Sequence, residues 1–69
     1  MNVQNDIQHF KGDLVTVFSN ENPRPKTAFT IQNSRGEVLN VAEVQRVRRA
    51  ASFIANPNKR FAIEAVIIA

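Results

Sequence analysis

The chain has 69 residues, no cysteine, one histidine and nine basic against six acidic side chains, a formal net charge of +3; disulfide frameworks, thiolate metal centres and multi-histidine sites are thereby excluded. An apolar fraction of 43% is that of a folded domain, no run approaches the roughly 18 apolar residues of a membrane span, and the polar opening Met1–Asp6 lacks the pattern of a signal peptide, so a cytoplasmic protein is expected. At this length folding buries only about 60% of the unfolded chain's surface, which points to a single domain over 1–69 that is stabilised by tight packing or by self-association.

In the first dozen residues, Val3, Ile7 and Phe10 have helical spacing and Gly12 could close a short helix. Lys11-Gly12-Asp13 could equally turn one strand into the next, and strand is the preferred reading. Leu14–Phe18 is rich in β-branched residues and predicts a strand. A polar loop stiffened by Pro23 and Pro25 follows. Thr27–Gln32 alternates, placing Phe29 and Ile31 inward and Thr30 and Gln32 outward. Asn33-Ser34-Arg35-Gly36 reads as a turn with Gly36 suited to a left-handed position, and Glu37–Leu39 as a short returning strand.

The next segment predicts a helix from Asn40 to about Ala55. Asn40 stands as N-cap with Glu43 three residues on, alanines and arginines favour the helical state, and Asn56-Pro57 stops it. On such a helix Val44, Val47, Ala51 and Ile54 form a stripe facing the sheet, with Val41 and Ala55 at its edge. Arg46, Arg49 and Phe53 lie nearly opposite. Arg60–Ala69 then predicts a strand, with Phe61, Ile63, Ala65 and Ile67 on one face and Ala62, Glu64, Val66 and Ile68 on the other. Being apolar on both faces, it is either central and covered or an oligomer contact. The expected fold is α+β: an antiparallel sheet of three to five strands with one amphipathic helix packed on it, in the order β-β-β-α-β.

Enzyme chemistry finds no support in the residues. Ser19, Ser34 or Ser52 can be paired with His9 only by drawing, and Gly12 and Gly36 are too far apart for a phosphate loop. Asp6, Asp13, Glu21, Glu37, Glu43 and Glu64 offer no close carboxylate pair. Neither a cofactor nor a metal is expected. An aromatic between arginines on the outer side of a helix exceeds what a plain surface helix requires. Either Phe53 folds under a loop, or Arg46, Arg49 and Phe53 form a partner-binding face, since aromatics and arginine dominate interface energetics. Arg48, at the stripe's boundary, either lies along the sheet edge with its head in water or reaches an anion. Arg24, Lys26, Arg35, Arg48, Lys59 and Arg60 could form a basic surface for nucleic acid or an acidic protein. Phe29 and Phe61 could stack on bases, but their alternation marks them first as core.

The run Gly36-Glu-Val-Leu-Asn-Val-Ala-Glu-Val-Gln-Arg-Val-Arg-Arg-Ala-Ala51, followed by an apolar strand, resembles small phage-encoded accessory proteins, some anti-CRISPR inhibitors among them. In these a hairpin feeds a short basic helix and a last strand completes the sheet. The likeness covers somewhat more than the C-terminal half of the chain, rests on architecture and size, and has no diagnostic motif. It implies a protein that occludes a bacterial host complex by surface contact, and it transfers no functional residue. The function expected from the sequence is thus a non-enzymatic protein-binding module. A small basic nucleic-acid-binding regulator is the alternative, and a homo-oligomer formed through the C-terminal strand a third reading.

Overall fold

A computed structural model describes residues 2–50 and 60–69. Among them there is no helix. The elements are β1 (Asn2–Gln4), β2 (Leu14–Ser19), β3 (Ala28–Gln32), β4 (Val38–Arg49) and β5 (Phe61–Ile67). They form one curled sheet, a half-barrel, in the order β1-β3-β4-β5-β2. β1 runs parallel to β3, and every other pairing is antiparallel.

The α+β expectation is therefore overturned: one segment is a strand where a helix was predicted, and the sheet, expected to be antiparallel, is mixed because the opening strand β1 pairs parallel with β3. The helix predicted from Asn40 is the greater part of β4, a 12-residue strand; the rest of that prediction, residues 51–55, falls outside the described residues. Two features favour the strand. Val38, Val41, Val44 and Val47 fit a pleated surface better than a helix. Both edges of the segment also find partners, β3 on one side and β5 on the other. Two β-bulges disguise it. Leu39 is an extra residue opposite β3, where Ile31 pairs with Asn40 and Gln32 with Val38. Gln45 is extra opposite β5, where Val44 pairs with Ala65 and Arg46 with Glu64. Each bulge shifts the alternation by one residue and bends the strand.

The remaining elements follow their sequence patterns. Phe29 and Ile31 of β3 are buried, as are Ile63, Ala65 and Ile67 of β5 and Ala42 and Val44 of β4. Together these form the core on the concave face, with Val3, Val15, Val17 and Val47 packed against it. β5 lies between β4 and β2, so both its edges are paired; Ile63, Ala65 and Ile67 are buried on the concave face, whereas Glu64 and Val66 on the other face are half-buried. The β3–β4 hairpin closes through Asn33, whose Oδ1 accepts from the Arg35 and Glu37 amides at 3.0 Å each. Gly36 there has φ +82°.

Two long connections cross opposite ends of the sheet. Residues 5–13 carry the chain from β1 past β4 to β2. They are pinned by Asn40, which is buried in β4 instead of capping a helix. Its Oδ1 accepts from the His9 amide (2.8 Å), and its Nδ2 donates to the carbonyls of His9 (2.9 Å) and Ala69 (3.2 Å). The other connection, residues 20–27, returns the chain from β2 to β3 at the end where β4 finishes and β5 begins. There the Lys26 amide donates to the Val44 carbonyl (2.7 Å) and the Val44 amide to the Thr27 carbonyl (2.9 Å). Lys26 and Thr27 thus stand together opposite Val44, and Lys26 takes the left-handed conformation (φ 71°) that this kind of bulge demands.

Candidate functional site: a basic end of the sheet

The fold gathers positive charge at the end where β4 finishes, β5 begins and residues 20–27 cross. Arg24, Lys26, Arg46, Arg48, Arg49 and Arg60 belong to this half of the sheet, with Glu21, Glu43 and Glu64 as the acids. Lys11, Arg35, Asp6, Asp13 and Glu37 belong to the other half. The basic excess is therefore not spread over the molecule.

Alternation beyond the bulge at Gln45 divides the arginines of β4 between the two faces, and the bulge sets which face each takes. Arg46 and Arg48 emerge on the convex face, and Arg49 on the concave one. Arg46 stands directly across the ladder from Glu64 and donates to both its oxygens, at 3.1 and 3.3 Å. Arg48 pairs with the same carboxylate. The hydrogen bond from Arg46 holds the Glu64 carboxyl below the ordinary carboxylate range. The positive charges of Arg46 and Arg48 act in the same direction, against the partial burial of the group. One carboxylate thus serves two guanidinium groups, which leaves the cluster with a net positive charge.

On the concave rim, Arg49 faces Phe61 across the β4–β5 ladder. With Arg60, just before β5, and Asn20, just after β2, they line a shallow cleft of about 260 Å³. Among the described residues no carboxylate pairs with Arg49 or Arg60. The cleft falls below the range of pockets that enclose a small ligand and opens to solvent, so it suits a group presented on a chain. A second cleft at the opposite end, about 340 Å³, is lined by Val3, Gln4, Gln32, Asn33, Ser34 and Gly36. None of these described lining residues is titratable.

The partner face expected from the sequence is not assembled. Arg46 and Arg49 lie on opposite faces of a strand where a helix would have set them side by side, and Phe53 lies outside the described residues. Of the residues expected to meet nucleic acid, Arg24, Lys26, Arg48 and Arg60 belong to the basic half. Arg35 sits in the distant β3–β4 turn, 3.8 Å from Glu37, and Lys59 is outside the described residues. Sequence reasoning missed the shared role of Glu64 and the meeting of Asn20 and Phe61 with Arg49 and Arg60. Cross-strand neighbours distant in sequence gave no local signal. Among the described residues no three His, Asp or Glu side chains are grouped to hold a metal, and no helix is long and apolar enough to cross a membrane.

Compared with protein families, curated proteins and solved structures, the chain matches none. The likeness to small phage-encoded inhibitors rested on size and on a layout of hairpin, helix and last strand; the helix of that layout is β4, and no match bears on the likeness itself.

Proposed function

We propose that this chain is a non-catalytic binding module that takes single-stranded nucleic acid on its basic end. The observation that supports this reading is the cleft of Arg49, Arg60, Asn20 and Phe61, which among the described residues holds two guanidinium groups, an amide and an aromatic ring but no carboxylate. Guanidinium groups neutralise phosphates, and a half-exposed ring beside them offers a stacking surface that tolerates any base. Arg46 and Arg48, sharing Glu64, extend the positive field over the rim. A reducing cytoplasm suits a chain without cysteine. A protein target, which the sequence put first, would need an acidic surface to meet the same groups.

The test is fluorescence anisotropy of a labelled single-stranded oligonucleotide across a salt series. Affinity is expected to fall steeply with salt. Replacing both Arg49 and Arg60 by alanine should reduce the slope of log K against log salt by about 1.4, from two phosphate contacts at about 0.7 each. Absence of binding at low salt would sink the nucleic-acid reading and leave the acidic protein surface.

A further inference from the structure

A ring that stacks on bases tolerates any of them, and guanidinium groups that meet phosphates carry no sequence information. A choice among bases has to come from a group that meets a base edge. Among the described residues of the basic cleft, one side chain is of that kind. The guanidinium groups of Arg49 and Arg60 only donate, and Phe61 offers a ring face. Asn20 presents a carbonyl oxygen and an amino group side by side.

The ladder sets these groups in order. Phe61 of β5 has Arg49 of β4 across one edge and Ser19, the last residue of β2, across the other. Asn20 is the next residue, and the chain there is fastened locally, since Ser19 Oγ accepts from the Glu21 amide at 3.0 Å. Guanidinium, ring and amide thus follow one another over two strand spacings, roughly 10 Å. A nucleotide presents phosphate, sugar and base edge in the same order over a similar span. Among the described residues the side chains of Asn20, Arg49 and Arg60 make no hydrogen bond or ion pair with the rest of the chain.

An amide donates and accepts at neighbouring atoms, so it matches a base edge on which a donor stands beside an acceptor. Of the two edges that point away from the sugar, adenine presents such a pair on both: its N6 amino group with N7, and the same group with N1. Cytosine, thymine and guanine present one on their pairing edge alone. The other edge of guanine, N7 with O6, is two acceptors and suits a guanidinium. We infer that Asn20 reads the edge of the base stacked on Phe61, and that the cleft selects adenine. The inference rests on the nucleic-acid reading of the cleft and adds the base and the residue that chooses it.

Fluorescence anisotropy with labelled thymine hexamers, each carrying one central adenine, cytosine or guanine, tests it. Wild type should bind the adenine hexamer about fivefold or more tightly than the all-thymine one, the lower end for one bidentate contact. Purine, which lacks the exocyclic amino group shared by both edges, should lose that advantage in adenine's place. Asn20→Ala should bind the adenine hexamer only as tightly as the all-thymine one, with an unchanged slope of log K against log salt, because the slope counts phosphates. Equal affinity of wild type for all the hexamers, or a preference for guanine, overturns the inference and leaves the nucleic-acid reading in place; no binding to any of them at low salt overturns both. An adenine preference that survives Asn20→Ala or the change to purine also overturns it, and the purine comparison needs no variant to fold.

Discussion

Asn40→Ala should cost this protein a large share of its stability, because one buried side chain fastens three parts of the chain. Its amide oxygen accepts from the His9 N–H, and its amide nitrogen donates to the carbonyls of His9 and Ala69. Alanine removes all three bonds. A typical bond contributes about 1 kcal/mol net, and each polar group left buried without a partner costs about 1–3 kcal/mol. Water will reach some of those groups, because His9 is only half-buried. The expected loss is therefore about 2–3 kcal/mol, near the sum for the bonds and well below the sum of the penalties. At about 0.05–0.15 kcal/mol per residue a chain of this size has roughly 3–10 kcal/mol in total, so the variant would be marginal. Its Tm should fall by about 10–20 °C. Urea denaturation followed by circular dichroism measures the loss, and amide exchange at His9 locates it. Asn40→Asp keeps the acceptor but sets a carboxylate against two carbonyls, and should be worse still at neutral pH. A loss below about 1 kcal/mol with the His9 amide still protected would refute the view that Asn40 holds residues 5–13 against the sheet.

Lys26 holds φ 71° in a bulge opposite Val44, and Gly12 holds φ 93° at the equivalent place opposite Ile67, where its amide donates to the Ile67 carbonyl. Lys26→Gly should therefore stabilise the fold by about 0.5–1 kcal/mol, measurable by denaturant titration; a destabilised variant would contradict the assignment. Glu64 has a carboxyl pKa lowered by the Arg46 hydrogen bond, so its stabilising contribution is fully present above the unfolded value of about 4.3. It is lost as pH falls through the lower folded value. The Tm advantage of wild type over Glu64→Gln should accordingly hold at neutral pH and vanish in acid; a pH-independent difference would show that the charge contributes nothing. The same variant releases Arg46 and Arg48, and should bind the oligonucleotide more tightly than wild type at low salt.

Strands with unbroken alternation were legible in the sequence. Leu14–Phe18, Thr27–Gln32 and Arg60–Ala69 each became a strand with nearly the expected bounds, and Phe29, Ile31, Ile63 and Ile67 became core. β4 was not legible, for a definite physical reason. A bulge adds one residue to a period of two, so apolar positions on either side of it fall three apart. Val44 and Val47 both pack toward the concave core across the bulge at Gln45, and three is also a helical spacing. The Asn40–Glu43 pair imitated a capping box, while Asn40 in fact serves His9 and Ala69. Alanine and arginine tipped the local preference toward helix, and pairing on both edges outweighed it.

The same bulge explains why the candidate site could be read only in part. A run of arginines on a helix distributes by angle, and Arg46 and Arg49 would have shared a face. On a regular strand, parity alone would decide their faces. The extra residue at Gln45 leaves Arg46 and Arg48 beside Glu64 on the convex face and delivers Arg49 to Phe61 on the concave rim. One stretch of sequence thus supplies a partly compensated pair of arginines and an uncompensated one. The acid that separates them comes from β5, and Asn20 and Phe61 come from β2's end and β5's start, so sequence distance hid what ladder register makes adjacent. Removing Gln45 would restore strict alternation and keep Val47 inward, yet straighten the strand where the arginines part. The bend that disguised β4 is also what shapes the basic end.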